Sequence, residues 1–134
     1  MKTMEEEKKI AIVGASRNRA KFGNKAVRAF MEKGYRVFPV HPSEKEIEGQ
    51  PVYRSVLEIP GRVELASFYV PSSIGLKVIE EVAQKEGMRI VYLNPGSESE
   101  ALIRKGRALG LDIRNTCSIV VSSFFSMRQK LRIQ

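Results

Sequence analysis

The stretch Ile10-Ala11-Ile12-Val13-Gly14-Ala15-Ser16, continuing as Arg17-Asn18-Arg19-Ala20-Lys21-Phe22-Gly23-Asn24, decides how this chain folds. Its four successive apolar residues predict a strand buried on both faces. A Gly-Ala-Ser turn follows, and then a helix that begins near Gly23. A helix start leaves backbone N–H groups unpaired and carries partial positive charge, so a turn of small residues beside it suits a phosphate. The corner made by Gly14, Ala15, Ser16, Arg17, Lys21, Phe22, Gly23 and Asn24 is therefore the candidate cradle for the diphosphate of a nucleotide-type cofactor.

Outward from that corner the chain alternates. The first strand is expected over Lys9–Val13. From Asn24 to Lys33, Ala26, Val27, Phe30 and Met31 recur at helical spacing as one apolar stripe, and Gly34 stands where a left-handed cap is expected. Arg36–Val40 reads as the second strand, stopped by His41-Pro42. Ser43–Gln50 reads as a polar connection, Pro51–Tyr53 as a short extended piece and Ser55–Glu58 as a single helical turn. Leu65–Val70 is the third strand. Pro71-Ser72-Ser73 opens a helix to Glu86, with Ile74, Val78, Ile79 and Val82 facing the sheet and Gly87 closing it. Arg89–Leu93 is the fourth strand, and Asn94-Pro95-Gly96 turns. Ser97 and Glu100 have capping-box spacing for a helix reaching Leu109. After Gly110, Leu111–Asn115 is a fifth, shorter strand. The tail has two readings: Ile119–Val121 extended, or Phe124, Phe125, Met127 and Leu131 in a terminal helix over the core.

Strand and helix alternating with short connections imply a parallel sheet covered on both faces. With right-handed crossovers this is an α/β fold: one doubly wound, mainly parallel, five-stranded, Rossmann-like sheet. A chain of 134 residues fits one such domain, here residues 9–134 behind a flexible charged tail at 1–8. The tail lacks the apolar core of a secretory signal, and no apolar run approaches the ~20 residues of a membrane helix. With one cysteine, no internal disulfide framework is available, and a cytoplasmic protein is expected.

In a doubly wound sheet the carboxyl ends of the strands share one edge, where ligands bind. Four corners fall there: Gly14-Ala15-Ser16, His41-Pro42, Val70-Pro71-Ser72-Ser73 and Asn94-Pro95-Gly96-Ser97. Three of them precede helices, so three sets of N–H donors are expected to point into one crevice. The first departs from G-x-G-x-x-G, with Ser16 at the second glycine position and Arg19 at the third. Serine still donates its hydroxyl to a phosphate, and Arg17, Arg19 and Lys21 supply charge. The bland alternative is that Gly14 only permits a tight turn and the cations are solvated. At the second corner an NAD site would carry an acid for the ribose; Val40-His41-Pro42 carries none. His41 is either a ligand contact or a half-exposed loop histidine.

No catalytic set is visible. The only histidine is His41 and the only cysteine is Cys117, too few for a Cys/His zinc site. Cys117 reads as a packing residue before it reads as a nucleophile. Ser72, Ser73 and Ser97 read as helix caps, without a G-x-S-x-G elbow, and the Walker lysine is missing. A net charge of +8 admits nucleic acid, an anionic membrane surface or an anionic small molecule as partner. For nucleic acid there is no aromatic stacking platform, the 4 Tyr and 6 Phe falling in part at core-periodic positions. An NADP-dependent oxidoreductase using the same corner would need a proton donor that the sequence does not supply.

Ile12-Val13-Gly14-Ala15-Ser16, Gly34 to Pro42, Val70-Pro71 and Leu93-Asn94-Pro95-Gly96, with Cys117 after the last strand, together resemble the CoA-binding domain proteins. These are small stand-alone relatives of the amino-terminal domain of the succinyl-CoA synthetase α subunit. The resemblance runs from Lys9 to Cys117. It implies a Rossmann-like protein that binds coenzyme A or an acyl-CoA along the crevice, as a non-catalytic carrier, sensor or subunit for a partner that uses CoA. It places the phosphates at Gly14, Ala15 and Ser16 with Arg17 and Lys21 nearby. His41 and Pro42 lie beside the cofactor; Val70, Pro71 and Ser72 lie by the adenine or pantetheine arm. Asn94, Pro95 and Gly96 match the fourth corner. The family often has Asn-Pro where this chain has His41-Pro42. The phosphorylated histidine of the synthetase belongs to a second domain, so ligase activity is not implied. CoA carries about four negative charges at neutral pH, which a cationic loop complements.

Overall fold

A computed structural model describes residues 8–123 of the chain. Lys9–Val13 forms β1, with Ile10, Ala11, Ile12 and Val13 all buried, as an unbroken apolar run requires in a sheet covered on both sides. It pairs in parallel with β2 (Arg36–Val40) on one flank and β5 (Leu65–Phe68) on the other. β6 (Ile90–Leu93) and β7 (Asp112–Asn115) extend the sheet beyond β5, also in parallel, giving the order β2-β1-β5-β6-β7. The doubly wound, five-stranded, Rossmann-like expectation is what forms. The order reverses between β1 and β5, and that is where such sheets open a crevice.

Helix α1 (Phe22–Glu32) covers one face, burying Ala26, Val27 and Phe30 against Ile10, Ile12 and Val37. Helices α2 (Ser72–Gln84) and α3 (Glu100–Ala108) cover the other, where Ile79, Val82 and Leu102 join Val13, Phe68, Val91, Leu93 and Ile113. Gly75 and Gly106 let these helices sit close: a Cβ at Gly75 would meet Leu102 Cδ2 at 2.8 Å, and one at Gly106 would overlap the Ile113 side chain.

Several local expectations change. The 43–50 connection is not only polar. It holds a small hairpin, β3 (Glu46–Ile47) and β4 (Gln50–Pro51), that buries Ile47 beside α1, and Tyr53 bridges to Val40. Val56–Glu58 is a single 3-10 turn capped by Ser55. The cap of α3 is Ser99, whose hydroxyl accepts from the Leu102 amide, rather than Ser97. Ser97 is instead buried, its amide donating to the Asn94 carbonyl. Met31 and Ile74, expected on inward stripes, are 37% and 47% exposed because each lies at the margin of its helix's buried face. Residues 118–123 are helical, which excludes the extended reading of Ile119–Val121. Phe124, Phe125, Met127 and Leu131 lie outside the described residues, as do residues 1–7 of the tail. Lys8 carries the ladder one step further, its carbonyl accepting from the Arg36 amide. Among the described residues no helix is long and apolar enough to cross a membrane.

Candidate functional site

The carboxyl ends of β1, β2 and β5 converge on Gly14. Its φ of +88° is the left-handed region that favours glycine, and a Cβ there would lie 2.8 Å from Val70 Cγ1 and 2.9 Å from the Tyr69 carbonyl carbon. The first and third corners are therefore in contact across the switch point. The second corner joins them, since the Gly14 and Ala15 amides both donate to the Val40 carbonyl, at 3.2 and 3.3 Å. Two amides that the sequence leaves to a phosphate are thus committed to the fold. What the turn still offers lies further along. Among the described residues, the amides of Ser16, Arg17, Phe22 and Gly23 have no protein acceptor. The Ser16 oxygen accepts from the Asn18 amide at 3.0 Å, which leaves its hydroxyl hydrogen free to donate.

Helix α1 starts on Lys21 without a side-chain cap, and α2 starts on Pro71 without one. Only α3 has its first donors satisfied by its own serine, so two uncapped starts face the crevice where three were expected. The glycine that lets α1 approach the turn is Gly23, not a residue at the third position of the dinucleotide fingerprint. A Cβ at Gly23 would overlap the Gly14 carbonyl oxygen and lie 3.2 Å from its carbon. Helix and turn therefore meet backbone to backbone.

Two asparagines expected at the ligand, Asn24 and Asn94, are buried among the corner loops. Asn24 is 0% exposed. Its Nδ2 donates to the Ser16 carbonyl at 2.9 Å and to Glu48 Oε2 at 3.1 Å, and its Oδ1 accepts from Arg28 Nε at 2.7 Å. Asn94 is 2% exposed and equally committed: Nδ2 donates to Ser67 Oγ and the Phe68 carbonyl, and Oδ1 accepts from the Ser118 amide and hydroxyl. Both hold loops in place. The Asn94 cluster continues to Tyr69, whose hydroxyl lies 3.1 Å from Ser118 Oγ. Burial raises the pKa of that phenol and the Ser118 and Ser67 hydrogen bonds only partly oppose it. Sequence reading missed Ser67, Tyr69 and Ser118. Ser118 stands 51 and 49 residues from Ser67 and Tyr69, and the polar residue inside an apolar strand, Ser67, was the available signal.

His41 is half-buried, and its Nδ1 accepts from the Ser43 and Glu44 amides at 3.1 and 3.0 Å. An asparagine Oδ1 stands the same number of bonds from its own backbone and makes the same turn. The departure from Asn-Pro therefore preserves the local geometry, with the Nε2 edge of the ring left over.

Around the corner lie Phe22, 63% exposed with Lys25 Nζ 4.8 Å from its ring centroid, and exposed Arg17, Lys21, Pro42, Pro71, Pro95 and Gly96. Ser72, partly buried, shares a hydrogen bond with Ser99 Oγ. The Gly96 amide donates to Glu98 Oε2. Arg17 and Arg19 are not free cations: Arg17 pairs with Glu44 at 3.7 Å and Arg19 with Glu48 at 3.5 Å. Among the described residues no cluster of three or more His, Cys, Asp and Glu is placed to hold a metal.

The family model described as "CoA binding domain" matches residues 8–123. The ADP-forming acetate–CoA ligase I of Archaeoglobus fulgidus is 36% identical over 89 residues, covering 66% of this chain and 13% of that protein. The α subunit of ADP-forming acetate–CoA ligase II from Pyrococcus furiosus is 35% identical over 88 residues, covering 65% of this chain and 19% of the subunit. Among solved structures, a conserved hypothetical protein from Pyrococcus furiosus superposes with a TM-score of 0.78 at 40% identity, covering 84% of this chain and 97% of that one. The chain thus spans less than a fifth of the curated ligases it matches.

Proposed function

We propose, from the premise that the chain belongs to the CoA binding domain family, that it binds coenzyme A or an acyl-CoA along the carboxyl edge of its sheet. The diphosphate is received at Ser16 and the α1 N-terminus. The observation that carries this reading is the uncapped helix start. Phe22 and Gly23 have unpaired amides at the start of α1, the helix whose Asn24 holds the Ser16 carbonyl, and Arg17 and Lys21 are exposed nearby in the chain. His41, Pro42, Val70, Pro71 and Ser72 border the remainder of the ligand. Asn24 and Asn94 support the loops from below. The role is that of a carrier, sensor or subunit working in the cytoplasm with a partner that uses CoA. The relatives' ligase chemistry is not transferred, because the matched segment is a small part of each ligase.

Thermal unfolding with added CoA tests this directly. A ligand that binds only the native state stabilises it by about 2.7 kcal/mol at a hundredfold excess over Kd. The melting temperature should rise with CoA and not with NAD or NADP; the reverse pattern would reject the reading. Replacing Arg17 and Lys21 together by Glu should weaken CoA binding by about tenfold or more while leaving the fold intact. Unchanged affinity would place the diphosphate elsewhere.

A further inference from the structure

Between the 16–20 loop and the β3–β4 hairpin lies a cleft of about 530 Å³ lined by Arg17, Arg19, Ser43, Glu44, Lys45, Glu46 and Glu48. Its three cations are matched by three carboxylates, so this part of a +8 chain is locally balanced. The carboxylates are placed with some specificity. Glu48 and Gly49 form the two-residue tip of the hairpin, at φ 49° and 79°. Such a tip favours asparagine or glycine at its first position, and a glutamate there is conformationally disfavoured. Glu48 nevertheless keeps that backbone, and its two carboxylate oxygens are divided between Asn24 Nδ2 and Arg19. Asn24 also holds the Ser16 carbonyl, so the hairpin tip is tied to the phosphate turn itself. Glu44 holds Arg17 from the turn that His41 caps.

We infer that Glu44 and Glu48 form an intramolecular clasp that competes with the ligand's phosphates for Arg17 and Arg19 and so sets the affinity of the site. This rests on the proposed function for the identity of the ligand, but not for the existence of an anion site. A carboxylate-for-carboxylate exchange gains little. A diphosphate unit carries two negative charges and more acceptor oxygens on one group, and so displaces the glutamates. Phosphate entry then frees the hairpin tip from the 16–20 loop while Asn24 keeps the turn in place. Exposed ion pairs of this kind hold their partners by no more than about fivefold each, so the clasp tunes binding without blocking it.

Isothermal titration at fixed pH and ionic strength tests the clasp, using CoA and inorganic pyrophosphate as separate probes. The proteins are the unaltered chain, E44Q, E48Q, the double variant, and E86Q. The last removes the same charge from the Arg62 pair at the opposite edge of the sheet. The double variant should bind both probes more tightly, by about two- to twentyfold, and E86Q should bind them as the unaltered chain does. Damage to the fold cannot tighten binding, so a gain is diagnostic. If pyrophosphate gains and CoA binds none of the proteins, the CoA reading fails and the clasp stands. Equal or weaker binding of pyrophosphate to the double variant, an equal gain in E86Q, or no binding of either probe to any protein would overturn the clasp.

Discussion

Substituting Gly23 by alanine probes the contact on which the phosphate corner depends. Within an ordinary helix this change is favourable by up to about 1 kcal/mol, because alanine is the better helix former. Here the new methyl group would be driven into the Gly14 carbonyl oxygen. A carbon and a carbonyl oxygen approach no closer than about 3.3 Å, so α1 must retreat by about 1 Å. No rotamer change relieves this, since the obstacle is backbone. Overpacking costs about 1–3 kcal/mol, and a rigid backbone obstacle belongs at the upper end. After the helix-propensity gain, a net loss of about 2 kcal/mol is expected, or a fall in melting temperature of about 6–12 °C for a chain of this size. Gly75→Ala supplies the comparison. Its new Cβ meets side chains rather than backbone, the far end of Leu102 at 2.8 Å and Phe68 Cδ2 at an ordinary 3.5 Å, and it should change stability by less than about 1 kcal/mol. Urea unfolding followed by circular dichroism measures both variants. A Gly23→Ala protein as stable as the parent would refute the backbone-to-backbone seating of α1 on the turn.

His41→Asn should keep the 41–44 turn and change stability by less than about 0.5 kcal/mol, whereas His41→Ala loses both Nδ1 acceptances and about 1 kcal/mol; urea midpoints separate the two. Asn94→Ala strands buried groups of Ser67, Phe68 and Ser118 and should cost about 3 kcal/mol, read in the same assay. Burial holds the Tyr69 phenol above its ordinary pKa of 10.0. Its contribution to stability is therefore complete below pH 10 and is lost as the pH rises through the folded-state value. Urea midpoints should fall as the pH is raised above about 10, and fall less in Tyr69→Phe; equal slopes would contradict the burial argument.

The strands and the parallel order were legible because Ile10–Val13 and Val37–Val40 are continuous apolar runs and Leu65–Phe68 is interrupted only by Ser67, which only a sheet covered on both faces requires. The small hairpin was not legible. Its strands have two residues each, and its single inward residue, Ile47, sits in a run of glutamate and lysine that reads as solvated. The turn chemistry at Ser16 was readable from residue types. The commitment of the Gly14 and Ala15 amides was not, because it depends on β2 lying beside β1 with Val40 in register with Val13. Asn24 and Asn94 look like ligand contacts in sequence because both stand at corners. Their burial arises from loops that return from residues 48 and 118, which local spacing does not encode. The same distance in sequence hid the pairing of Arg17 and Arg19 with Glu44 and Glu48.

The most direct measurement is a crystal structure grown with CoA. The diphosphate should lie against the Ser16 hydroxyl and the Phe22 and Gly23 amides, with the rest of the molecule running past Val70 and Pro71. CoA bound at the opposite edge of the sheet, or the corner closed by its own side chains with CoA excluded, would contradict the account.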